Sequence, residues 1–216
     1  MGEDPMNEKT ILLTGFQPFG GLAENPALEI IKRMPRTVGG FTVERAEIPV
    51  TYEGCSQVAV EAVERARPLA VVMVGQARGR ADITVERVAI NVDDCESPDN
   101  AGAVRRGDPV VEGGPAAYFA TLPVTECVRR VRACGVPASV SNTAGTYVCN
   151  HLMYAVLDCC ANRFPQVRAG FVHVPLMSSQ AATDACAGEP SMAVEDMVCG
   201  LTAILEATAE AIVAEG

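Results

Sequence analysis

The feature that most limits how this chain can fold is the run 69–74, L-A-V-V-M-V, in which no polar residue interrupts six apolar ones. A strand with one wet face alternates polar and apolar residues. A run this short without alternation reads as a strand covered on both faces, as in a parallel sheet with helices on either side. It is strand-sized and far below the roughly 20 residues that a membrane helix needs. The stretch before it, 52–67, keeps Val58, Ala62 and Val63 along one side in helical spacing.

The same alternation of strand-length and helix-length segments recurs along the chain. Residues 10–13 read as a first buried strand, followed by the Gly- and Pro-rich loop 15–21. Asn25 before Pro26 is a favourable helix start for 27–34. Strands are expected at 41–48, 138–142 and 170–175, and helices at 124–134, 147–163 and 192–214. The expected architecture is a single three-layer α/β/α domain over residues 1–216, with a mainly parallel twisted central sheet. Residues 1–9 are polar and acidic and read as a disordered tail, with Met6 as an alternative start. The segment 75–115 departs from the pattern, being rich in charged and turn-forming residues. A short strand is expected at 87–92 within it, and a segment this long usually carries function or an oligomer contact.

A chain of 216 residues with 49% hydrophobic content can bury one sizeable core. Its formal net charge of −10 disfavours binding to a phosphate backbone, so nucleic acid is not an expected partner. The N-terminus lacks a basic region followed by an apolar one, and a cytoplasmic location is expected, with no membrane association. Nine cysteines, an odd count with no C-x-x-C pair, suggest reduced thiols. No Cys/His cluster has metal-site spacing, so neither a metal nor an organic cofactor is expected.

One cysteine stands apart. In S-N-T-A-G-T-Y-V-C-N-H (141–151) a strand, a glycine turn and a helix start follow one another, with Cys149 at or near that start. Unpaired N–H groups and the helix dipole favour a thiolate there and could hold an oxyanion. Position alone does not separate this cysteine from a small core residue. Of the two histidines, His151 lies two residues beyond Cys149, a spacing that does not face it on a helix. His173, ending the strand 170–174, falls at the sheet edge where such a helix begins and is the better base. An acid to orient it is less defined. Glu86, at the opening of the expected strand 87–92, stands out, and Asp82, Asp93 and Asp94 compete with it. The loop G-F-Q-P-F-G-G (15–21) lacks the spacing of a phosphate loop. Phe16 and Phe19 there are either walls of a ring-shaped apolar pocket or anchors of the loop to the core.

Five ordered blocks of the sequence together resemble pyroglutamyl peptidase I, the pyrrolidone-carboxylate peptidase family. They are L-L-T-G-F-Q-P-F-G-G with N-P after it, V-G-Q-A-R-G-R-A-D-I-T-V-E-R-V-A-I-N, G-G-P-A-A-Y, S-N-T-A-G-T-Y-V-C-N-H and G-F-V-H-V-P. The resemblance implies a cysteine peptidase that removes N-terminal pyroglutamate through a thioester, with Cys149 as nucleophile, His173 as base and Glu86 as its orienting acid. It also implies Phe16 and Phe19 flanking the ring, Asn25 and Gln76 near its polar edge, and Arg80 or Arg87 supporting the oxyanion or the site. Relatives of this kind often form dimers or tetramers, so a homo-oligomer is expected. Asn142 and Arg78 depart from what relatives often carry, and neither position removes a catalytic group. The rival readings are a hydrolase or transferase of the same scaffold acting on another cyclic amide, and a non-catalytic thiol redox or peptide-binding module.

Overall fold

In the computed structural model, which describes residues 9–215, the chain opens with β1 (Thr10–Phe16), buried along its whole length. The expected tail and the alternative start at Met6 lie outside the described residues, apart from Lys9, whose carbonyl already accepts from Thr42 N–H at 2.8 Å. Helix α1 (Pro26–Arg33) starts where Asn25 caps it, the side chain accepting from Ala27 N–H at 3.0 Å. The hairpin β2 (Thr37–Val38) and β3 (Phe41–Ile48) leads to α2 (Tyr52–Ala66) and then β4 (Ala70–Gln76), the run from which the fold was read. The expectation of two covered faces holds, since all seven residues of β4 are buried.

The segment 75–115 is not a loop. It contributes β5 (Ile83–Glu86) to the central sheet, then β6 (Val88–Ile90), β7 (Asp93–Cys95) and β8 (Arg105–Asp108). Glu86 therefore closes a strand, where the sequence suggested that it precedes one. All four residues of β5 are buried, so the alternation of I-T-V-E marks no wet face: Thr84 and Glu86 are polar groups turned into the interior. After β9 (Ala117–Phe119) come α3 (Val124–Ala133), β10 (Ala138–Ser141), α4 (Val148–Arg163) and β11 (Arg168–Val174). Short β12 (Leu176–Met177), α5 (Ser178–Ala181) and β13 (Ser191–Met192) precede the long α6 (Val194–Glu215).

The seven-stranded sheet has the order β10-β5-β11-β4-β1-β3-β2. Strands β11, β4, β1 and β3 run parallel, β10 is parallel to β5, and β5 is antiparallel to β11. The sheet is thus mainly parallel, with the reversed pair β5 and β10 at one side and the short antiparallel β2 at the other. Helices α1, α3 and α6 cover one face around Leu13, Val72, Val172 and Ile204. Helices α2 and α4 cover the other around Leu12, Met73, Phe171 and Leu152. Among the described residues α6 is the one helix long and apolar enough to cross a membrane, but half of its most apolar window is buried, as in a core helix.

Candidate active site

The site is built on the face covered by α2 and α4. His173 lies near the C-terminal end of β11 and is buried. Residues paired across a ladder point to the same side of a sheet. His173 pairs with Thr84 on antiparallel β5 and with Gly75 on parallel β4. Glu86, two residues beyond Thr84, shares that face. Its carboxylate is fully buried, and Oε1 lies 2.8 Å from His173 Nδ1. That contact leaves Nε2 as the ring nitrogen open to a second partner.

Cys149 reaches the same place from the other side. It sits in the first turn of α4, whose N-cap residue Tyr147 makes no side-chain capping bond. A Cβ built on Gly75 would lie 3.1 Å from Cys149 Sγ and 2.7 Å from Phe171 Cζ. The sulfur therefore rests against the backbone of the residue that pairs with His173, and only glycine leaves room for it. Phe171 supports the imidazole from below, with ring centroids 4.7 Å apart.

The route to this position differs from a simple strand–turn–helix unit. Because β10 runs with β5, against β11, its C-terminus does not lie on the carboxyl edge of the parallel strands. β4 is three places from β10 in the sheet order, about 14 Å away at ordinary strand spacing. The loop 142–147 crosses that gap, within the roughly 20 Å that its residues can span when extended. Gly145 turns within it at φ 78°. The segment 75–115 then holds the start of α4. Thr146 and Asp94 exchange hydrogen bonds of 2.6 and 2.9 Å, and Tyr147 O–H donates to Pro98 O at 2.9 Å. Asn150 behaves like a strand neighbour, accepting from Ile90 N–H at 3.0 Å and donating to Ile90 O and Val92 O.

The two histidines separate cleanly. His151 Nδ1 lies 2.6 Å from Asp93 Oδ2, and its ring meets Tyr52 edge-on at 5.5 Å. Asp93, a competitor for the orienting acid, is thus the partner of the other histidine. Asp94 is tied by its backbone to Thr146.

The charges around Glu86 follow from burial and partners. Burial pushes its carboxyl up, but His173, Ser141 and Arg80 outweigh that and hold it below the ordinary carboxylate range. His173 is lowered, because burial disfavours the imidazolium more than Glu86 favours it. The Cys149 thiol is pushed up to about 12, first by burial and then by the Glu86 charge, with Arg80 acting in the opposite direction. Burial thus works against the thiolate that the helix start favours. The helix dipole is worth about 0.3–1 kcal/mol, less than the burial it competes with.

The remaining expected residues divide. Phe16, Phe19, Asn25, Gln76 and Cys149 line one narrow cavity of about 50 Å3, with Val50, Tyr147 and Val148. Asn25 is largely occupied as the α1 cap, its Nδ2 also donating to Gln17 O at 2.9 Å. Arg80 donates to Glu86 Oε1 at 2.6 Å and to Thr143 O at 3.1 Å, and also bonds Thr84 Oγ1. It grips the acid and the loop before α4. Arg87 does not join the site: it is exposed and bonds Asn142 Oδ1 at 2.7 Å. Gly75 and Asn150 were within quoted motifs but carry no chemistry of their own that sequence would flag. No group of three or more metal-ligating side chains occurs among the described residues.

Comparison with known proteins places this geometry in context. A family model described as pyroglutamyl peptidase matches residues 9–211. A pyrrolidone-carboxylate peptidase of Levilactobacillus brevis is 47% identical over 197 residues, 91% of this chain and 96% of that protein. One from Thermococcus onnurineus is 43% identical over 93% of this chain and 99% of its own. The crystal structure of pyroglutamyl peptidase I from Bacillus amyloliquefaciens superposes with a TM-score of 0.90 at 38% identity, covering 94% of this chain and 95% of that one. The pyrrolidone carboxyl peptidase of Thermococcus litoralis gives 0.91 at 32% identity, covering 96% of each.

Proposed function

Because the chain belongs to the pyroglutamyl peptidase family, we propose that Cys149, His173 and Glu86 carry out its reaction, hydrolysis of the amide bond after an N-terminal pyroglutamyl residue. It is a cysteine-type omega-peptidase. The observation that carries the residue assignment is the meeting of Cys149 Sγ with Gly75, the register partner of His173, while Glu86 holds His173 Nδ1.

The reaction follows from these contacts. Nε2 of neutral His173 takes the thiol proton as Sγ attacks the pyroglutamyl carbonyl, so charge separates only while the bond forms. Uncapped N–H groups in the first turn of α4 face the developing oxyanion. The imidazolium, stabilised by Glu86, gives its proton to the departing peptide amine, leaving a thioester. His173 then takes a proton from water as the hydroxide attacks the thioester, and returns it to the departing sulfur, releasing pyroglutamate and restoring the thiol. Arg80 keeps Glu86 ionised and in place. Phe16 and Phe19 flank the ring, with Gln76 at its polar edge and Asn25 shaping the wall.

The substrate is a peptide whose N-terminal residue has closed to a lactam. A site with a buried donor for the lactam carbonyl discriminates against a proline ring, because that donor stays unpaired. We read residues 1–216 as one domain of a cytoplasmic homo-oligomer. Phe119, 69% exposed, and Ile90 share one face of the β6–β9 ribbon, an apolar surface suited to a second copy. Light scattering on the purified protein tests the assembly.

Chromogenic pyroglutamyl, prolyl and glutamyl amides, assayed with and without a thiol-blocking reagent, test the activity. Only the pyroglutamyl amide is turned over, and alkylation stops it. A Cys149→Ala protein that keeps its fold has no measurable turnover. Turnover retained by that variant would overturn the assignment.

A further inference from the structure

Gln76 lines the cavity beside Cys149 and is buried, yet a side-chain amide can present either its oxygen or its NH2. Which end faces a substrate ring is decided by the residue behind it. That residue is Gln180 on α5, which is buried and does not line the cavity. Its amide is fixed at both ends by backbone groups whose polarity cannot change. Met177 N–H donates to Gln180 Oε1 at 2.9 Å. Gln180 Nε2 donates to Glu24 O at 3.1 Å. A flipped Gln180 would set two donors against each other and two acceptors against each other. The same Nε2 donates to Gln76 Oε1 at 3.1 Å, so the oxygen of Gln76 is turned away from the cavity. Gln76 Nε2 meets no protein acceptor among the described residues.

We propose that Gln180 is a positioning residue for specificity, pinning the Gln76 amide so that it presents a donor to the carbonyl oxygen of the substrate lactam. This rests on the pyroglutamyl-peptidase reading and extends it by one residue that touches no substrate. The polarity of the ring contact is set by a relay from the Met177 and Glu24 backbone through Gln180 to Gln76. The relay accounts for a buried glutamine whose hydrogen bonds otherwise serve a short helix.

The test reverses the relay. In Gln180→Glu the carboxylate keeps the Met177 contact but offers Gln76 an acceptor, so the Gln76 amide turns and its oxygen faces the ring carbonyl. One hydrogen bond lost and one repulsion gained raise KM for a pyroglutamyl amide about tenfold or more. Contact made equally in ground and transition states leaves kcat within about threefold. 2-Pyrrolidone, the bare ring, weakens as an inhibitor by the same factor. Gln180→Met, which only frees the Gln76 amide, gives a smaller rise. In a Gln76→Ala background, Gln180→Glu has no further effect on KM, since it acts through Gln76.

The inference is overturned if folded Gln180→Glu and Gln180→Met proteins keep the parental KM. It is equally overturned if their defects persist in the Gln76→Ala background, or if kcat and alkylation of Cys149 by iodoacetamide fall while KM holds. Should Gln180→Glu not fold, Gln180→Met and its double variant decide by the same criteria. Failure of the parent protein to turn over any pyroglutamyl amide would count against the functional reading itself, and is read separately.

Discussion

A single methyl group placed on Gly75 tests the architecture of the site most directly. Its Cβ would lie 2.7 Å from Phe171 Cζ, 3.0 Å from Phe171 Cε1 and 3.1 Å from Cys149 Sγ. Carbon atoms rest at about 3.5–4.0 Å, so the Phe171 ring must move by on the order of 1 Å and the sulfur by somewhat less. Both neighbours are packed: Phe171 is 0% exposed and lies tilted against His173. Overpacking of this kind costs about 1–3 kcal/mol. In a chain of 216 residues that lowers Tm by roughly 3–10 °C. Displacing a nucleophile by 1 Å costs on the order of a hundredfold in rate, so kcat falls about 10- to 100-fold. Thermal unfolding and turnover of a pyroglutamyl chromogenic amide read the two effects. A second change, Phe171→Leu, removes the ring atoms that clash and returns much of the Tm. It leaves the sulfur crowded, so kcat stays low. A Gly75→Ala protein with kcat within about twofold of the parent would show that the sulfur does not rest against β4.

Four further outcomes follow from the site. Glu86→Gln can keep both contacts through one oxygen, because Arg80 Nη1 and His173 Nδ1 converge on Oε1. Only the charge is lost, worth about 3–4 kcal/mol toward the imidazolium at an effective dielectric near 20, so steady-state kinetics give a kcat lower by about 10²–10³-fold. Alkylation of Cys149 by iodoacetamide, followed by mass spectrometry, accelerates steadily from pH 6 to pH 10, because the thiol is raised to about 12. A plateau already reached below pH 7 would mean a resting ion pair. Neutral His173, lowered by burial, contributes stability that is present above its ordinary 6.5 and lost as pH falls through its folded value; the acid limb of kcat/KM accordingly lies below 6.5. His151→Leu loses its contact with Asp93 and about 1–3 kcal/mol of stability by chemical denaturation, while kcat stays within about threefold.

Much of this molecule was legible in the order of its residues, and the exceptions share a cause. Strand 41–48 and the helices near 52–66, 124–133 and 148–163 follow from periodicity, since their burial is set by one face or by two. β5 did not, because Thr84 and Glu86 point polar groups into a buried site and erase the apolar signature. The reversal of β5 and β10 was equally invisible, since strand direction leaves no mark on composition. Among the site residues, scarcity made His173 readable: only two histidines exist. Glu86 was one carboxylate of many, singled out by resemblance more than by physics. Arg87 carried the same charge as Arg80 and a similar position in sequence, yet its side chain leaves the other way, toward Asn142. The burial that opposes the expected thiolate was hidden for a different reason: a helix start is visible in sequence, but enclosure of the sulfur is a property of the packed fold.

The acid and the base ride on hydrogen-bonded neighbours, β5 and β11, whose spacing is fixed by the ladder between them. The sulfur arrives independently, on a helix moored by the loop 142–147 and the ribbons beside it. Proton-handling and attack are therefore mechanically separable. Lengthening or stiffening that crossing would retune the reach of the nucleophile and leave the imidazole–carboxylate couple as it is, which makes the loop the natural place to engineer acceptance of larger rings.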